Sequence, residues 1–363
     1  MKKLLLEDCC EILDSMRIPI TASERKSGSY PYYGANGIQD YVADYIFDDE
    51  LVLLAEDGGN FGSKTKPIAY RVSGKCWVNN HAHVLKPKKD FNVDYLCYSL
   101  MFYNTDGLVN GATRQKLTQA TMRQMLIPQR AYQEQCDIVA QMNKVNLIIK
   151  TRQNQLQKLD ELVKARFVEL FIGKGYPTKT IDEVSLGKGE YGAQSASIEY
   201  APTRPRYVRI TDINDDGTLN DDVVASINPD DDEQYRLEYG DFLFARMGAT
   251  VGKTFAFIAG NQIFAGYLIR YKLNRKLINP RYLFWYTKLD EYWNWVKLNQ
   301  SGAAQPGINA KKYGSLRIPV PPVAEQEQFA AFVEQTDKSK VAVQKSLDEA
   351  QLLFDSLMQQ YFG

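Results

Sequence analysis

Two motifs in the second half of the chain carry residue types that could bind a phosphate or a metal. Residues 248–254 (GATVGKT) combine glycines with a lysine and a threonine, as phosphate-binding P-loops do, but one residue is missing between the glycines. The run DINDDG from Asp212 opens like a calcium-binding EF-hand loop, yet its twelfth position is Val223 and not a bidentate glutamate. We therefore predict a turn bearing a phosphate- or base-contacting lysine at the first motif, and an acidic hairpin turn at the second.

Two further motifs could act on bases or hold a metal. The tetrapeptide NPRY from Asn279 is similar to that of adenine methyltransferases, but arginine replaces the second proline and no glycine-rich cofactor motif accompanies it, so we predict a helix start. His81 and His83 are the only histidines, and their spacing puts both on one face of a strand. No third ligand stands at metal spacing. We interpret them as polar loop residues that contact bases or phosphates, or as structural residues, and we expect no metal and no cofactor.

The composition is that of an ordinary globular protein. Of the 363 residues, 44% are hydrophobic and 24% are charged, and no apolar run approaches the roughly 18 residues of a membrane span. The N-terminal apolar stretch is too short for a signal peptide, and the five scattered cysteines form no C-x-x-C pair, which favours a cytoplasmic protein. The net charge of zero argues against strong non-specific binding to nucleic acid by the isolated chain.

Two long helices must position these motifs. Apolar residues recur at alternating steps of four and three, which is typical of a coiled-coil seam. The first seam comprises Ile138, Met142, Val145, Ile149, Arg152, Leu156, Leu159, Val163, Arg166 and Leu170. Adding 191 to each number gives a second seam, Phe329, Val333, Thr336, Lys340, Val343, Leu347, Ala350, Phe354, Leu357 and Tyr361. Each helix would hold about 40 residues and extend about 60 Å.

The two helices carry opposite net charge, +3 over residues 129–175 and −4 over residues 321–363. Opposite flanking charge favours pairing of the helices with each other over self-association. We therefore predict that the partner of the first helix is the second helix of the same chain. The charged residues Arg152, Arg166 and Lys340 interrupt the seams. We interpret them as residues that fix the register of the helix pair, or as breaks in the seam that face a partner.

An internal repeat gives each half of the chain a globular region followed by a long helix. At the offset of 191, identical pairs include Ile127-Pro128 with Ile318-Pro319, Glu134-Gln135 with Glu325-Gln326, and Phe171 with Phe362. The helical parts are similar and the globular parts diverge. We place the boundaries at residues 1–128, 129–175, 176–320 and 321–363, for the first globular domain, the central helix, the second globular domain and the C-terminal helix.

The globular regions predict a mixture of strands and helices. We expect strands at residues 50–56, 68–72, 76–78, 207–213 and 240–245, a tight turn at Asn36-Gly37, and helices at residues 93–102 and 280–296. The predicted fold class is therefore α+β.

The chain resembles the specificity subunit of type I DNA restriction–modification systems. The resemblance rests on LIPQRAYQEQ from Leu126 and LRIPVPPVAEQEQ from Leu316, each of which precedes a long helix. The runs YVRITDINDDG from Tyr207 and WVNNHAHVLKP from Trp77 support it. The order of globular region, helix, globular region, helix extends it over essentially the whole chain.

This resemblance implies a non-catalytic protein that reads a bipartite target in double-stranded DNA. Each globular region would be an α/β-type target recognition domain for one half-site. The helices would form an intramolecular antiparallel coiled coil that holds the domains apart in a pseudo-two-fold arrangement. Two methyltransferase (modification) subunits would dock on the chain, and restriction subunits would join them. Half-sites about 35 Å apart, near one turn of DNA, would suit helices of this length as a ruler.

The candidate DNA contacts are basic and amide residues in loops beside each helix. Arginine and amide side chains read base edges, whereas lysines mostly hold phosphates. In the first half the candidates are Lys64, Lys66, Asn79, Asn80, His81, Arg114, Gln115 and Lys116. In the second half they are Arg204, Arg206, Arg209, Arg246, Lys253, Gln305, Lys311 and Lys312.

Two other functions remain open on the sequence alone. One is a divergent DNA methyltransferase or nuclease, although no complete cofactor or metal motif is present. The other is a coiled-coil scaffold that does not bind DNA.

Overall fold

The computed structural model describes residues 2–111, 114–228, 233–302 and 306–363, and it divides into two compact units. Unit 1 comprises Met1–Gln153 together with Lys345–Gly363, and unit 2 comprises Asn154–Gln344. Each unit therefore contains one mixed region of strands and short helices and one segment of each long helix. No helix in the described ranges is both long and apolar enough to cross a membrane.

Unit 1 is built around a six-stranded sheet. The described part of the unit has ten strands in all: β1 (Lys3–Leu5), β2 (Cys10–Ile12), β3 (Ser27–Gly34), β4 (Gly37–Val42), β5 (Phe47–Ala55), β6 (Ala69–Val78), β7 (Ala82–Pro87), β8 (Val109–Asn110), β9 (Lys116–Leu117) and β10 (Leu126–Pro128). Its helices are α1 (Leu6–Cys9), α2 (Val93–Met101), α3 (Gln119–Arg123) and the first part of α4 (Tyr132–Phe171). The sheet order is β2-β7-β5-β6-β3-β4. Residues 51–55 of β5 are fully buried, as expected for an uninterrupted apolar strand at the centre of a sheet.

Unit 2 contains two four-stranded sheets. Its strands are β11 (Thr178–Thr180), β12 (Glu190–Tyr191), β13 (Ile198–Glu199), β14 (Arg206–Val208), β15 (Ala225–Ser226), β16 (Asp241–Ala245), β17 (Thr254–Ala256), β18 (Gln262–Phe264), β19 (Leu268–Lys272) and β20 (Arg317–Pro319). Its helices are the second part of α4, α5 (Pro280–Tyr286), α6 (Asp290–Asn299), α7 (Ala310–Gly314) and the first part of α8 (Val323–Phe362). The sheet orders are β12-β19-β16-β17 and β13-β15-β14-β18.

The helices α4 and α8 have 40 residues each and pair antiparallel within unit 1. The Tyr361 hydroxyl, near the end of α8, donates to Gln141 Oε1 near the start of α4 (2.9 Å). Further along α4, Arg152 Nε donates to Ser346 Oγ (3.1 Å). The seam residues at the start of α4, Ile138, Met142, Val145 and Ile149, are buried in the same cluster as Ala350 and Phe354 of α8.

The same antiparallel pairing continues inside unit 2. Lys340 of α8 forms an ion pair with Asp160 of α4. The rings of Phe167 and Phe329 lie 5.3 Å apart. The intramolecular pairing and the α+β fold class predicted from the sequence are therefore confirmed, and Arg152 and Lys340 contact the partner helix.

One seam residue differs from the prediction. Arg166 is exposed and pairs with Glu169 on its own helix, whereas Phe167 is fully buried. The buried positions of this segment are Val163, Phe167 and Phe171, at steps of four. A helix of 3.6 residues per turn drifts away from a strict 3.5-residue repeat, and here the drift brings Phe167 onto the core of unit 2.

Four predicted elements in the globular regions also differ. The two strands predicted at residues 68–72 and 76–78 are one strand, β6 (Ala69–Val78). Residues 207–213 give only the short β14, followed by a 3₁₀ turn. Residues 280–296 are two helices, because Lys288 and Leu289 donate to carbonyls three residues back and Leu289 is extended, which ends α5 before α6 begins. The strands at residues 50–56 and 240–245 and the helix at residues 93–102 are confirmed.

Candidate nucleic-acid interface

A set of backbone hydrogen bonds fixes the loops that follow the central strand of unit 1. Glu56, the residue after β5, donates its N–H to the His81 carbonyl (2.9 Å). Its own carbonyl accepts the N–H of Leu117 (2.7 Å). Gly58 then donates to the Gln115 carbonyl (3.2 Å). The end of β5 is thereby held between the β6–β7 loop and β9.

Unit 2 contains the same set of bonds after β16. Arg246 donates its N–H to the Tyr267 carbonyl (3.0 Å), and its carbonyl accepts the N–H of Ile308 (2.9 Å). Gly248 donates to the Pro306 carbonyl (2.9 Å). The backbone support of these loops is therefore duplicated along with the helices.

We call this arrangement the loop frame; its members are Glu56, Gly58, His81, Gln115 and Leu117 in unit 1, and Arg246, Gly248, Tyr267, Pro306 and Ile308 in unit 2. Gly58 and Gly248 both have positive φ (62° and 69°), which favours glycine at this point of each frame. The other side chains differ. Glu56 corresponds to Arg246, and His81 corresponds to Tyr267.

An aspartate brings two of the predicted contacts of unit 1 together. Asp57 Oδ1 lies 2.6 Å from His81 Nδ1 and 2.9 Å from Arg114 Nη2. The Arg114 side chain is 59% exposed, so most of its donors remain available to a ligand. Asp57 therefore orients a histidine and an arginine at one edge of the loop frame.

Glu56 is neutralised by two cations of unit 1. Its carboxylate lies 2.7 Å from Arg17 Nη1 and 3.0 Å from Lys116 Nζ. Burial alone would raise the pKa of Glu56, but hydrogen bonds from Arg17 and Lys116 outweigh it and hold that pKa below its ordinary value. The predicted contact Lys116 is therefore tied to an acid.

His83 and Asp14 form a buried pair behind the loop frame. His83 Nδ1 lies 2.7 Å from Asp14 Oδ2, and His83 Nε2 lies 2.9 Å from the Leu117 carbonyl. Asp14 also accepts from the Val84 N–H and from Gln119 Nε2, both at 2.9 Å. Burial would raise the pKa of Asp14, but these hydrogen bonds, led by the one from His83, keep it below the ordinary value.

Asp14, Glu56 and His83 also have ligand atoms within 4.8 Å of one another, close enough to hold a metal ion. Each of these side chains already bonds to protein donors or acceptors, and Arg17 and Lys116 lie against Glu56. A divalent cation would have to displace both of these charges. We therefore interpret the group as an ion-pair network that fixes the loop frame.

The remaining candidates of unit 1 differ in accessibility. Lys64 and Lys66 are exposed in the loop between β5 and β6, and Asn80 and Gln115 are exposed as well. Asn79 is buried: its Nδ2 donates to Gln39 Oε1 (3.0 Å) and its Oδ1 accepts the His81 N–H (2.8 Å). Asn79 thus positions the loop that carries Asn80 and His81.

Arg246 is the most distinctive candidate in unit 2. Its guanidinium carbon lies 4.7 Å from the ring centroid of Tyr191 and 5.8 Å from that of Tyr267. These tyrosines are 40% and 56% exposed. Arg246 forms no ion pair within the described ranges, and its Nε is buried without a hydrogen-bond partner there. Stacking of this kind holds a guanidinium plane in place.

The other cations of unit 2 fall into two groups. Three form ion pairs inside the unit: Arg206 with Asp221, Arg209 with Asp212, and Lys253 with Asp215. Arg204 and Lys311 are exposed and make no ion pair in the part of the chain that the structure describes. Lys312 Nζ donates to the Asn299 carbonyl (2.7 Å). Gln305 lies outside the described residues.

The short motifs singled out in the sequence have local explanations. Lys253 Nζ donates to the Ile213 carbonyl (3.2 Å), and Thr254 is buried with its hydroxyl 2.7 Å from that of Thr287, so the P-loop-like segment offers neither side chain to a phosphate. Ile213 pairs with Leu219 across the predicted hairpin turn. The Asn279 side chain caps α5, as the predicted helix start requires.

A cavity of about 960 Å³ lies elsewhere in unit 2. Apolar side chains such as Phe255, Phe284 and Trp285 line it beside charged residues of α4 and α8. Lys288 faces this cavity and lies over the Phe284 ring (4.3 Å). Burial lowers the pKa of Lys288 to about 8, although Asp216 and Asp215 oppose this shift.

Four residues of the site were missed in the sequence: Glu56, Asp57, Tyr191 and Tyr267. Glu56 could have been found, because it follows a buried strand just as Arg246 does, at an offset of 190. Tyr191 and Tyr267 gave no such signal, since they come from different strands and meet Arg246 only in the fold.

Comparison with known proteins gives a consistent result. The family model for the type I restriction modification DNA specificity domain matches residues 1–160 and 177–350. A type I restriction enzyme specificity subunit of Haemophilus influenzae is 28% identical over 361 residues, covering 91% of this chain and 86% of the relative. The MjaVIII specificity subunit of Methanocaldococcus jannaschii is 22% identical over 144 residues, covering 40% of this chain and 33% of that relative.

Solved structures show the same fold. The S subunit of a type I restriction–modification system from M. genitalium superposes with a TM-score of 0.63 at 12% identity, over 100% of this chain and 96% of that one. A chain from a structure of complex assembly in the type I R-M system gives a TM-score of 0.54 at 16% identity, over 99% and 97%. These comparisons favour neither the divergent enzyme nor the scaffold without DNA binding. Because the family model matches most of both halves, this chain belongs to the type I restriction–modification specificity subunits, the DNA-recognition components of these systems.

Proposed function

We propose that each unit reads one half of a bipartite DNA target and that the paired helices set the distance between the halves. The observation that carries this proposal is the loop frame, in which the same backbone bonds occur in both units while the side chains differ. A protein that reads two different half-sites must change its contacts while it keeps their support.

The proposed contacts are the candidate residues that the units expose or hold at the loop frame, together with Gln305, which lies outside the described residues. In unit 1 we assign phosphate contacts to Lys64, Lys66 and Lys116, and base-edge contacts to Asn80, His81, Arg114 and Gln115. In unit 2 we assign phosphate contacts to Arg204 and Lys311, and base-edge contacts to Arg246 and Gln305. The side chains that bond inside their units and are less exposed than Lys116 would mainly position the loops: Asn79, Arg206, Arg209, Lys253 and Lys312.

The helices offer surfaces on which two methyltransferase subunits could dock. In unit 1 the exposed apolar residues are Leu147 and Ile148 of α4 with Leu352 and Leu353 of α8. In unit 2 they are Leu162 and Val168 of α4 with Val341 of α8. Contiguous exposed apolar patches mark protein–protein interaction sites. The exposed apolar side chains on the long helices of each unit support a complex with two methyltransferase subunits, which restriction subunits would then join.

This assignment leaves catalysis to the partner subunits. The chain would act in the cytoplasm, where the DNA and the partners are found. The zero net charge supports weak DNA binding by the chain alone, so the methyltransferase subunits would supply much of the electrostatic attraction. The target recognition domains would correspond to residues 1–128 and 176–320, and the spacer helices to residues 129–175 and 321–363.

The proposal can be tested with the complex of this chain and its methyltransferase subunits. Charge reversal of Lys64 in unit 1, or of Lys311 in unit 2, should weaken DNA binding for all sequences and reduce the slope of log affinity against log salt by about 1. Lys276→Glu is the matched control, because Lys276 is an exposed loop lysine that we assign no contact. A scaffold without DNA binding would show no effect of any of these changes.

A further inference from the structure

Arg246 is arranged differently from the other arginines of unit 2 that the sequence singles out. Arg206 and Arg209 point their guanidinium groups at carboxylates, whereas Arg246 lies between two partly exposed tyrosine rings. Within the described ranges the Arg246 guanidinium makes neither an ion pair nor a hydrogen bond, whereas those of Arg206 and Arg209 also donate to backbone carbonyls. Its Nη donors are therefore free to bind a ligand.

The two tyrosines are themselves fixed. The Tyr191 hydroxyl accepts the N–H of Ala310 at the start of α7 (3.2 Å), and the Tyr267 carbonyl accepts the Arg246 N–H in the loop frame. Gly266, beside Tyr267, donates its N–H to the Ala193 carbonyl (2.7 Å), which fixes the backbone next to Tyr267. The guanidinium plane is therefore held in one orientation before any ligand arrives.

The corresponding position in unit 1 has the opposite charge. Glu56 occupies it, and its carboxylate is engaged by Arg17 and Lys116. Glu56 is thus neutralised inside its unit, whereas Arg246 keeps its donors. The two loop frames cannot make the same contact with DNA.

We propose that Arg246 is a specificity-determining residue that reads a guanine in the half-site of unit 2, with Tyr191 and Tyr267 as positioning residues. The parallel N–H groups of a guanidinium match O6 and N7 of guanine in the major groove, which no other base presents as two acceptors. Glu56 makes no equivalent contact in unit 1. This inference rests on the proposed function.

The test uses the complex of the whole chain with its methyltransferase subunits and a DNA library randomised in both half-sites. The wild-type complex should require guanine at one position of one half-site. Arg246→Lys keeps the charge but loses the two parallel N–H donors. The preference for guanine at that position should therefore fall by between about 5-fold and about 150-fold, while the preference in the other half-site stays unchanged. Arg275→Lys is the matched control, because Arg275 also stacks on one tyrosine, Tyr239, outside the loop frame.

The positioning role needs its own variants. Tyr267→Ala should reduce the same discrimination, and Tyr267→Phe, which keeps the ring, should restore it. Unchanged thermal unfolding of both variants would exclude a simple folding defect.

Two results would overturn the inference in different ways. If Arg246→Lys lowers affinity for all sequences equally, or leaves the guanine requirement intact, Arg246 is not a base reader although the proposed function stands. If the wild-type complex shows no sequence preference in either half-site, the proposed function fails with it.

Discussion

Gln135 and Gln326 make the same three hydrogen bonds at the starts of the two long helices. Both side chains are fully buried. Each Oε1 accepts the N–H of a helix-capping asparagine, and each Nε2 donates to two backbone carbonyls. The partners are Asn92, Asp90 and Arg130 for Gln135, and Asn279, Leu277 and Pro321 for Gln326, all between 2.8 and 3.1 Å. The repeated Glu-Gln pair in the sequence is therefore explained by a clamp between each globular region and its long helix.

Gln326→Ala should destabilise unit 2. The change leaves the Asn279 N–H and two carbonyls without their partner, which predicts a loss of about 3 kcal/mol in the free energy of unfolding. Tryptophan fluorescence during denaturant unfolding measures it, because three of the four tryptophans, Trp285, Trp293 and Trp295, lie in unit 2. Gln328→Ala, an exposed position on α8, should change the stability by less than about 0.5 kcal/mol. Equal effects of the two variants would refute the clamp.

The buried pair of Asp14 and His83 predicts acid sensitivity in unit 1. The folded-state pKa of Asp14 is lowered, so its contribution to stability is fully present above the unfolded-state value of about 4 and is lost as the pH falls below it. Asp14→Asn should cost about 3 kcal/mol at neutral pH, since the buried hydrogen bonds of His83, Val84 and Gln119 lose their charged partner. Stability as a function of pH should then fall less steeply below about pH 4 than in the wild type.

An exposed aspartate provides the control for this measurement. Asp106 is exposed in a loop of unit 1. Asp106→Asn should therefore change neither the free energy of unfolding at neutral pH nor its dependence on pH in acid. If Asp14→Asn gives the same profile as Asp106→Asn, the buried pair does not stabilise the loop frame.

Lys288 predicts a second rise of stability with pH, of the same sign but at high pH. Its folded-state pKa of about 8 is lower than the ordinary value, so the folded state binds fewer protons and unit 2 should gain stability as the pH rises above about 8. Lys288→Met should be more stable than the wild type at pH 7, by about 1 kcal/mol, and should lack this rise. Lys276→Met, at an exposed position, should retain it. A wild-type stability that stays flat between pH 7 and 10 would contradict the prediction.

The ruler model predicts the effect of matched insertions in the helices. Seven residues inserted into α4 alone should break its pairing with α8 and lower the unfolding temperature. The same insertion in both helices restores the pairing and adds about 10 Å, so the preferred spacer should lengthen by about three base pairs. Selection from a library with variable spacers measures this. An unchanged spacer with a stable double insertion would refute the ruler.

The sequence predicted the helices well because their signal is local and repeated. The seam positions, the opposite charges and the offset of 191 all depend on periodic residues, and α4 and α8 follow them closely. The exception, Phe167 in place of Arg166, arises where the helix packs on the core of unit 2 and not only on its partner. Tertiary packing there overrides the heptad.

The candidate DNA contacts around the loop frame could be predicted only in part. Exposed lysines such as Lys64 and Lys311 are found by composition, because surface charge needs no long-range information. The pairing of Asp57 with Arg114, which are 57 residues apart, and the stacking of Arg246 on Tyr191 depend on which strands are neighbours. Residue types alone do not reveal those contacts.

The most direct test is to map the methylated positions in DNA exposed to this chain together with its methyltransferase subunits. We expect an asymmetric motif of two different half-sites separated by a spacer of fixed length. Residues 1–128 exchanged for those of a relative should alter one half-site and leave the other intact. A single continuous motif, or methylation without any motif, would contradict the proposal that two divergent units read two halves of one target.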